Sequence, residues 1–149
     1  MKNPPAPAGY SGTPLVKKLG IKDNSRVALL RAPRGFRATL GRLPAGVDLA
    51  EELDGAGPFD VIVFFTMSRE ELATAFGRIT RRLVPNGGFW VAWPKRASKL
   101  ATNMTEDVAR EVGLDAGLVV NKVCAIGATW SGLRFVFRLA DRPKKRTTR

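Results

Sequence analysis

The chain of 149 residues contains no histidine, one cysteine and one tyrosine. Without histidine there is no Ser-His or Cys-His nucleophile pair, and the commonest general base and zinc ligand are both missing. A single cysteine, Cys124, excludes an internal disulfide and fits a reducing compartment; with no histidine beside it, no transition-metal site is expected. The carboxylates form no cluster that invites magnesium. No apolar run approaches the roughly 20 residues that span a bilayer, and the opening MKNPPAPAGYSG lacks the apolar stretch of a secretory signal. These absences predict a cytoplasmic protein with no membrane association, no metal and no assigned catalytic residue.

What is abundant is positive charge: 25 Lys and Arg against 13 Asp and Glu, a formal +12. Such a field attracts nucleic acid or acidic protein, which are the candidate partners. Much of the excess is terminal, because residues 1–42 hold nine Lys/Arg against one Asp and residues 142–149 hold five against none. The plainer reading is a solvated face and two tails, and charge alone does not separate the two. With 44% hydrophobic residues the chain can build a core, and its length suits one domain. Residues 1–9 read as a flexible Pro/Ala-rich tail, residues 10–140 as a single domain, and residues 141–149 as a basic tail.

The fold signal is centred on FDVIVFF at residues 59–65. Seven residues with Asp60 as the one polar member suit a strand covered on both faces. The run FWVAW at 89–93 is equally uninterrupted, and a helix-length segment joins the two, which implies a right-handed βαβ crossover. In that helix Leu72, Phe76, Ile79 and Leu83 form one buried stripe. Ser68 with Glu71 predicts a capping box, Arg78, Arg81 and Arg82 suit the negative helix end, and Pro85-Asn86-Gly87-Gly88 predicts a turn. Upstream, Thr13 is expected to cap a short helix with Pro14 at its first position and Gly20 closing it. RVALLR at 26–31 predicts the first strand, followed by a helix near 36–43 and a short strand near 47–49. Downstream, Thr105 caps a helix ending near Gly113. Residues 118–126 and 130–139 then form an antiparallel hairpin, with Leu133, Phe135 and Phe137 inward and Arg134 and Arg138 outward. The expected class is α/β, a small Rossmann-like, mostly parallel sheet with helices on both faces and a C-terminal hairpin.

The FDVI strand followed by LVPNGG resembles the second half of a class I S-adenosylmethionine-dependent methyltransferase, whose FD-x-V strand precedes a helix and an L-x-P-G-G turn. The half that would hold cofactor departs from that pattern. Where the resemblance calls for E/D-x-G-x-G-x-G, residues 31–36 read RAPRGF. Asp48 or Glu51 would stand for the acidic residue that meets the ribose, and residues 50–59 leave no room for the usual extra helix and strand. Arg34 and Arg37 at a strand-to-helix junction suit an anion better than a sulfonium. Three separated segments, GYSGTPLVKKLGIK, WVAWPKRASK and NKVCAIGATWSGLRF, resemble a bacterial family of short domain-of-unknown-function proteins; that resemblance implies a Rossmann-like fold and carries no activity.

The polar and aromatic residues that packing does not account for are the ligand-binding candidates: Tyr10, Ser11, Arg34, Lys95, Lys122, Trp130 and Arg134. Cys124 reads as a structural cysteine or as a thiolate activated by Lys122, and Trp130 as core or as a stacking platform. The sequence thus predicts a non-catalytic domain binding an anionic, nucleotide-like ligand or an acidic macromolecule. The alternative is a divergent S-adenosylmethionine-dependent methyltransferase, although the glycine-rich loop for that cofactor is absent.

Overall fold

Phe59–Phe65 (β3) forms the strand that its composition predicts, with every residue but Asp60 buried. In the computed structural model, which describes residues 13–141 apart from 54 and 56, β3 runs parallel to β1 (Arg26–Leu30) on one side and to β4 (Leu83–Pro94) on the other. The short β2 (Asp48–Ala50) adds parallel to β1. The hairpin of β5 (Leu118–Ile126) and β6 (Trp130–Phe137) adds antiparallel to β4, so the order is β2-β1-β3-β4-β6-β5. The α/β architecture and its closing hairpin are as expected. Tyr10 and Ser11 lie outside the described residues.

Strands that are apolar on both sides need cover on both sides. α3 (Arg69–Thr80) and α4 (Glu106–Asp115) cover one face, over Ile62, Phe64, Phe89 and Phe135. α1 (Leu15–Leu19) and α2 (Phe36–Leu40) cover the other, over Val63, Phe65, Trp90 and Ala92. Five residues are too few for a helix to hold itself together in water. α1 is fixed by tertiary contacts instead: Leu19 and Trp90 are fully buried, and the Trp90 indole N–H donates to the Leu19 carbonyl at 3.1 Å. Gly20 closes α1 at φ 84°, as expected, but Pro14 is the N-cap and Thr13 makes no cap bond.

The capping box forms by half. Ser68 Oγ accepts the Glu71 N–H at 3.1 Å, while the Ser68 N–H goes to Thr66 Oγ1 rather than to Glu71. The Glu71 carboxylate is thereby released to accept the Thr66 hydroxyl at 2.7 Å. The stripe of Leu72, Phe76, Ile79 and Leu83 is buried throughout.

Three other expectations are corrected. Pro85-Asn86-Gly87-Gly88 is no turn. These residues lie within β4, where the register jumps from Phe59 opposite Leu83 to Val61 opposite Gly88. Neither glycine adopts positive φ, so their reason is space: a Cβ on Gly88 would sit 2.2 Å from Arg134 Nε, and one on Gly87 2.7 Å from the Asp60 carbonyl oxygen. Arg134 accordingly does not point out to solvent; it lies half-buried across the glycine backbone. Arg82 does more than answer the helix dipole. Its guanidinium donates to the carbonyls of Leu53, Gly55 and Gly57 at 2.7–3.2 Å, and Arg26 reaches the carbonyls of Gly57 and Pro58. Both guanidiniums lie over the Phe59 ring, Arg26 at 4.1 Å and Arg82 at 5.4 Å. Two arginines therefore satisfy the backbone of the tight return from β2 to β3, where the methyltransferase pattern would have a helix and a strand.

α4 is capped by Thr105 through the Val108 N–H but runs to Asp115, past its expected end. Gly113 stays helical there because it faces the Phe135 ring, 2.0 Å from where a Cβ would stand. Gly113→Ala is therefore expected to destabilise the protein by about 1–2 kcal/mol in urea unfolding. Overpacking costs about 1–3 kcal/mol and outweighs the roughly 1 kcal/mol that alanine adds to a helix.

Candidate site at the carboxyl ends of the strands

The strand order reverses between β1 and β3, since the chain steps from β1 outward to β2 and then back to β3. In open α/β sheets a crevice opens at that point, beyond the carboxyl ends of the strands. Here it is a depression of about 420 Å³, lined by the loop after β1 (Arg31, Pro33, Arg34, Gly35) and by Glu51 and Glu52 after β2. That volume is within the roughly 300–1,000 Å³ of ligand pockets.

The loop after β1 contains two residues in the left-handed region, only one of them glycine. Arg31 adopts φ 60° and Gly35 φ 84°, both in the left-handed region. Space beside Gly35 is open, with no atom within 4 Å of an added Cβ. Arg31 is held in this conformation by an ion pair to Glu71, the carboxylate freed by the incomplete capping box and steadied by Thr66. Arg37 lies 3.9 Å from Glu51. Among the described residues Arg34 has no acidic partner. Arg31 is thus paired with Glu71 and Arg37 with Glu51, and Glu52 also lines the crevice, so among the described residues its charge is largely compensated rather than the anion cradle that the arginines alone suggest.

The sequence candidates divide between the two ends of the sheet. Arg34, Lys95 and Trp130 lie at the carboxyl end, Lys95 joined to the hairpin turn by its backbone N–H to the Thr129 carbonyl at 2.8 Å. Trp130 packs edge-on against Phe65 at 5.1 Å, and Phe65 against Phe36 at 4.8 Å. Trp130 is a half-buried part of the core rather than a free stacking surface, and the lining of the crevice includes neither it nor Lys95. Lys122 and Arg134 share a different depression at the amino end, with Asp60 and Gly87. The five candidates among the described residues therefore do not form one pocket. Glu51 was named in the sequence as a candidate for the ribose; Glu52 beside it and Glu71, which pairs with Arg31, were missed.

Cys124 is half-buried, and burial raises its thiol pKa; Lys18 and Lys122 only partly oppose this. The thiol form prevails at neutral pH, which corrects the activated-thiolate alternative. Glu70 at the start of α3 has its pKa lowered, chiefly by the Asn103 side-chain amide. Among the described residues no three His, Cys, Asp or Glu side chains gather as a metal site, and no helix is long and apolar enough to cross a membrane.

Two measurements check this account. Iodoacetamide should alkylate Cys124 at pH 7.5 more slowly than an unfolded cysteine, the native rate rising only at higher pH than in urea. A folded pKa above the unfolded one makes the thiol's contribution to stability complete at low pH and lost as pH rises through the folded value. Arg31→Gly should change unfolding free energy by less than about 1 kcal/mol. Relief of a left-handed non-glycine residue, roughly 1–2 kcal/mol, is offset by loss of an exposed ion pair, of about 0–1 kcal/mol, and by the added chain freedom of glycine.

No protein-family model matches this sequence, and no curated protein does, so the comparisons give no support to the resemblance to a bacterial family of short proteins. Solved structures do resemble it in fold. A S-adenosylmethionine-dependent methyltransferase from Aquifex aeolicus is similar with a TM-score of 0.54 at 16% identity, over 81% of this chain and 86% of that one. Magnesium protoporphyrin IX methyltransferase from Synechocystis, with bound S-adenosylhomocysteine, has a TM-score of 0.51 at 10% identity, over 83% and 78%. Fibrillarin from Aeropyrum pernix, with S-adenosylmethionine bound, has 0.52 at 14%, over 86% and 70%. The chain has the methyltransferase-like Rossmann fold.

Proposed function

We propose that this chain is a divergent S-adenosylmethionine-dependent methyltransferase and that the crevice beyond β1 and β2 takes the nucleoside part of the cofactor. The observation that carries the reading is the compensated crevice: Arg31 and Gly35 put two left-handed turns into the loop after β1, and Glu51 follows β2 where a carboxylate could accept hydrogen bonds from ribose hydroxyls. Its largely compensated charge removes the objection that arginines would repel a sulfonium. The likeness in fold to methyltransferases supports the same reading over a domain without catalysis. Residues of this chain fit the nucleoside half best. Pro33 and Arg34 border the remainder, where Arg34 would meet the cofactor's carboxylate.

The cofactor would supply an electrophilic methyl group. The chain supplies position: a fixed loop, a hydrogen-bonding carboxylate and a wall of Leu29 and Phe36 that excludes water from one side. The acceptor's approach falls to the carboxyl end of β4, where Trp93, Thr102, Met104 and Glu106 line a further depression of about 390 Å³.

A second reading, a non-catalytic site for an anionic nucleotide, is favoured by Arg34 alone. Calorimetry separates the two. S-adenosylmethionine and S-adenosylhomocysteine should bind, and Glu51→Ala should weaken both by about tenfold, the loss expected for a hydrogen bond to a charged group. No heat with either at millimolar concentration, together with binding of adenosine nucleotides that Arg34→Gln abolishes, would replace the first reading by the second.

A further inference from the structure

At the opposite end of the sheet from the crevice lies a depression of about 350 Å³ between α1 and the hairpin. Its cations come from four separate parts of the chain: Lys17 in α1, Lys22 in the turn before β1, Lys122 in β5 and Arg134 in β6. Among the described residues the one carboxylate lining it is Asp60, whose Oδ2 accepts the Arg26 backbone N–H at 2.8 Å. Among the described residues Lys17, Lys22 and Lys122 have no carboxylate within ion-pair distance. Four positive groups around one small cavity repel one another, and α1, the turn before β1 and the hairpin must be packed together to create that arrangement.

The backbone is shaped to hold this charge. Arg134 lies where a Cβ on Gly88 would stand, and its guanidinium Nη1 donates to the Asn121 side-chain oxygen at 3.2 Å. Side-chain freedom of an arginine is ordinarily lost on binding; here part of it is already lost on folding. The widened stretch of β4 carries Asn86 and Gly87 into the same wall, and Ser25 forms the floor beside Lys22, whose backbone N–H it accepts at 2.9 Å. One planar, fixed guanidinium with three ammonium groups is a donor set for the oxygens of a phosphoryl group.

We propose that this cavity is a binding site for a phosphate-bearing small molecule. Its size and its position between α1 and the hairpin suit a ligand with one or two phosphoryl groups rather than the length of a nucleic-acid backbone. The site is separate from the proposed cofactor crevice and does not depend on that reading, because it lies across the sheet's length from β1's carboxyl end.

The test uses the full chain with inorganic pyrophosphate as probe, followed by calorimetry at two salt concentrations, and a short single-stranded RNA as a second probe. The variants are Lys17→Gln with Lys122→Gln, both exposed and outside the core, and Arg34→Gln in the crevice as control. Pyrophosphate should bind the natural protein, the double variant should weaken it at least about tenfold, and Arg34→Gln should leave it unchanged. S-adenosylhomocysteine binding, where found, should be unaffected by the double variant. The proposal is overturned if pyrophosphate does not bind at 10 mM (an order-of-magnitude ceiling of about 3 kcal/mol in affinity), if Arg34→Gln rather than the double variant removes binding, or if RNA alone responds to the lysine changes. Native unfolding curves of the double variant, expected to match those of the natural protein, separate loss of the site from loss of the fold.

Discussion

Everything in this molecule follows from the pairing of β3 with β4, two strands whose side chains are apolar above and below the sheet. A strand buried on both faces cannot be satisfied by a single layer, so helices must lie on each side. On one side α3 and α4 do this with lengths that suit independent turns of helix. On the other, α1 and α2 have five residues each and exist because Trp90, Phe65 and Ile126 give them something to cover. The two ends of the sheet then differ for the same reason. Loops gather at the carboxyl end, where the helices begin, while at the amino end α1 swings beside the hairpin and brings its lysines with it.

The sequence made the central unit legible because its signals were redundant. Phe59–Phe65 was uniform in composition, the α3 stripe repeated at helical spacing, and Thr105 stood before a helix with acids in its first turn. Failures came where one residue type has two possible causes. A proline, asparagine and two glycines in a row read as a turn, yet the glycines serve to admit Arg134 and the Asp60 carbonyl. Arg82 at a helix end read as an answer to the dipole, yet it satisfies carbonyls some 25 residues away in sequence. Such contacts have no local signature.

The candidate site was less legible still. Arginines after β1 were visible, but their charge could be judged only once Glu51, Glu52 and Glu71 were placed around them. Glu71 is the instructive residue. It was assigned to a capping box; Thr66 took over the Ser68 N–H and left the carboxylate for Arg31. A single hydroxyl close to a helix start thus leaves a carboxylate to offset an arginine beside the crevice. The grouping of Lys122 and Arg134 with Lys17 and Lys22 was equally hidden, since it depends on the hairpin folding back beside α1.

The unequal helices have one more consequence. A face covered, among the described residues, by two five-residue helices, one of them tied to the sheet by the Trp90 indole, has less cooperative structure to resist fluctuation. The face under α3 and α4 has far more. Amide protons on the thin side should therefore leave through openings that do not disturb the thick side, giving the sheet a hinge-like asymmetry in its breathing. Because the thin side borders both the crevice loop through α2 and the lysine cavity through α1, occupation of either end would quiet the same layer.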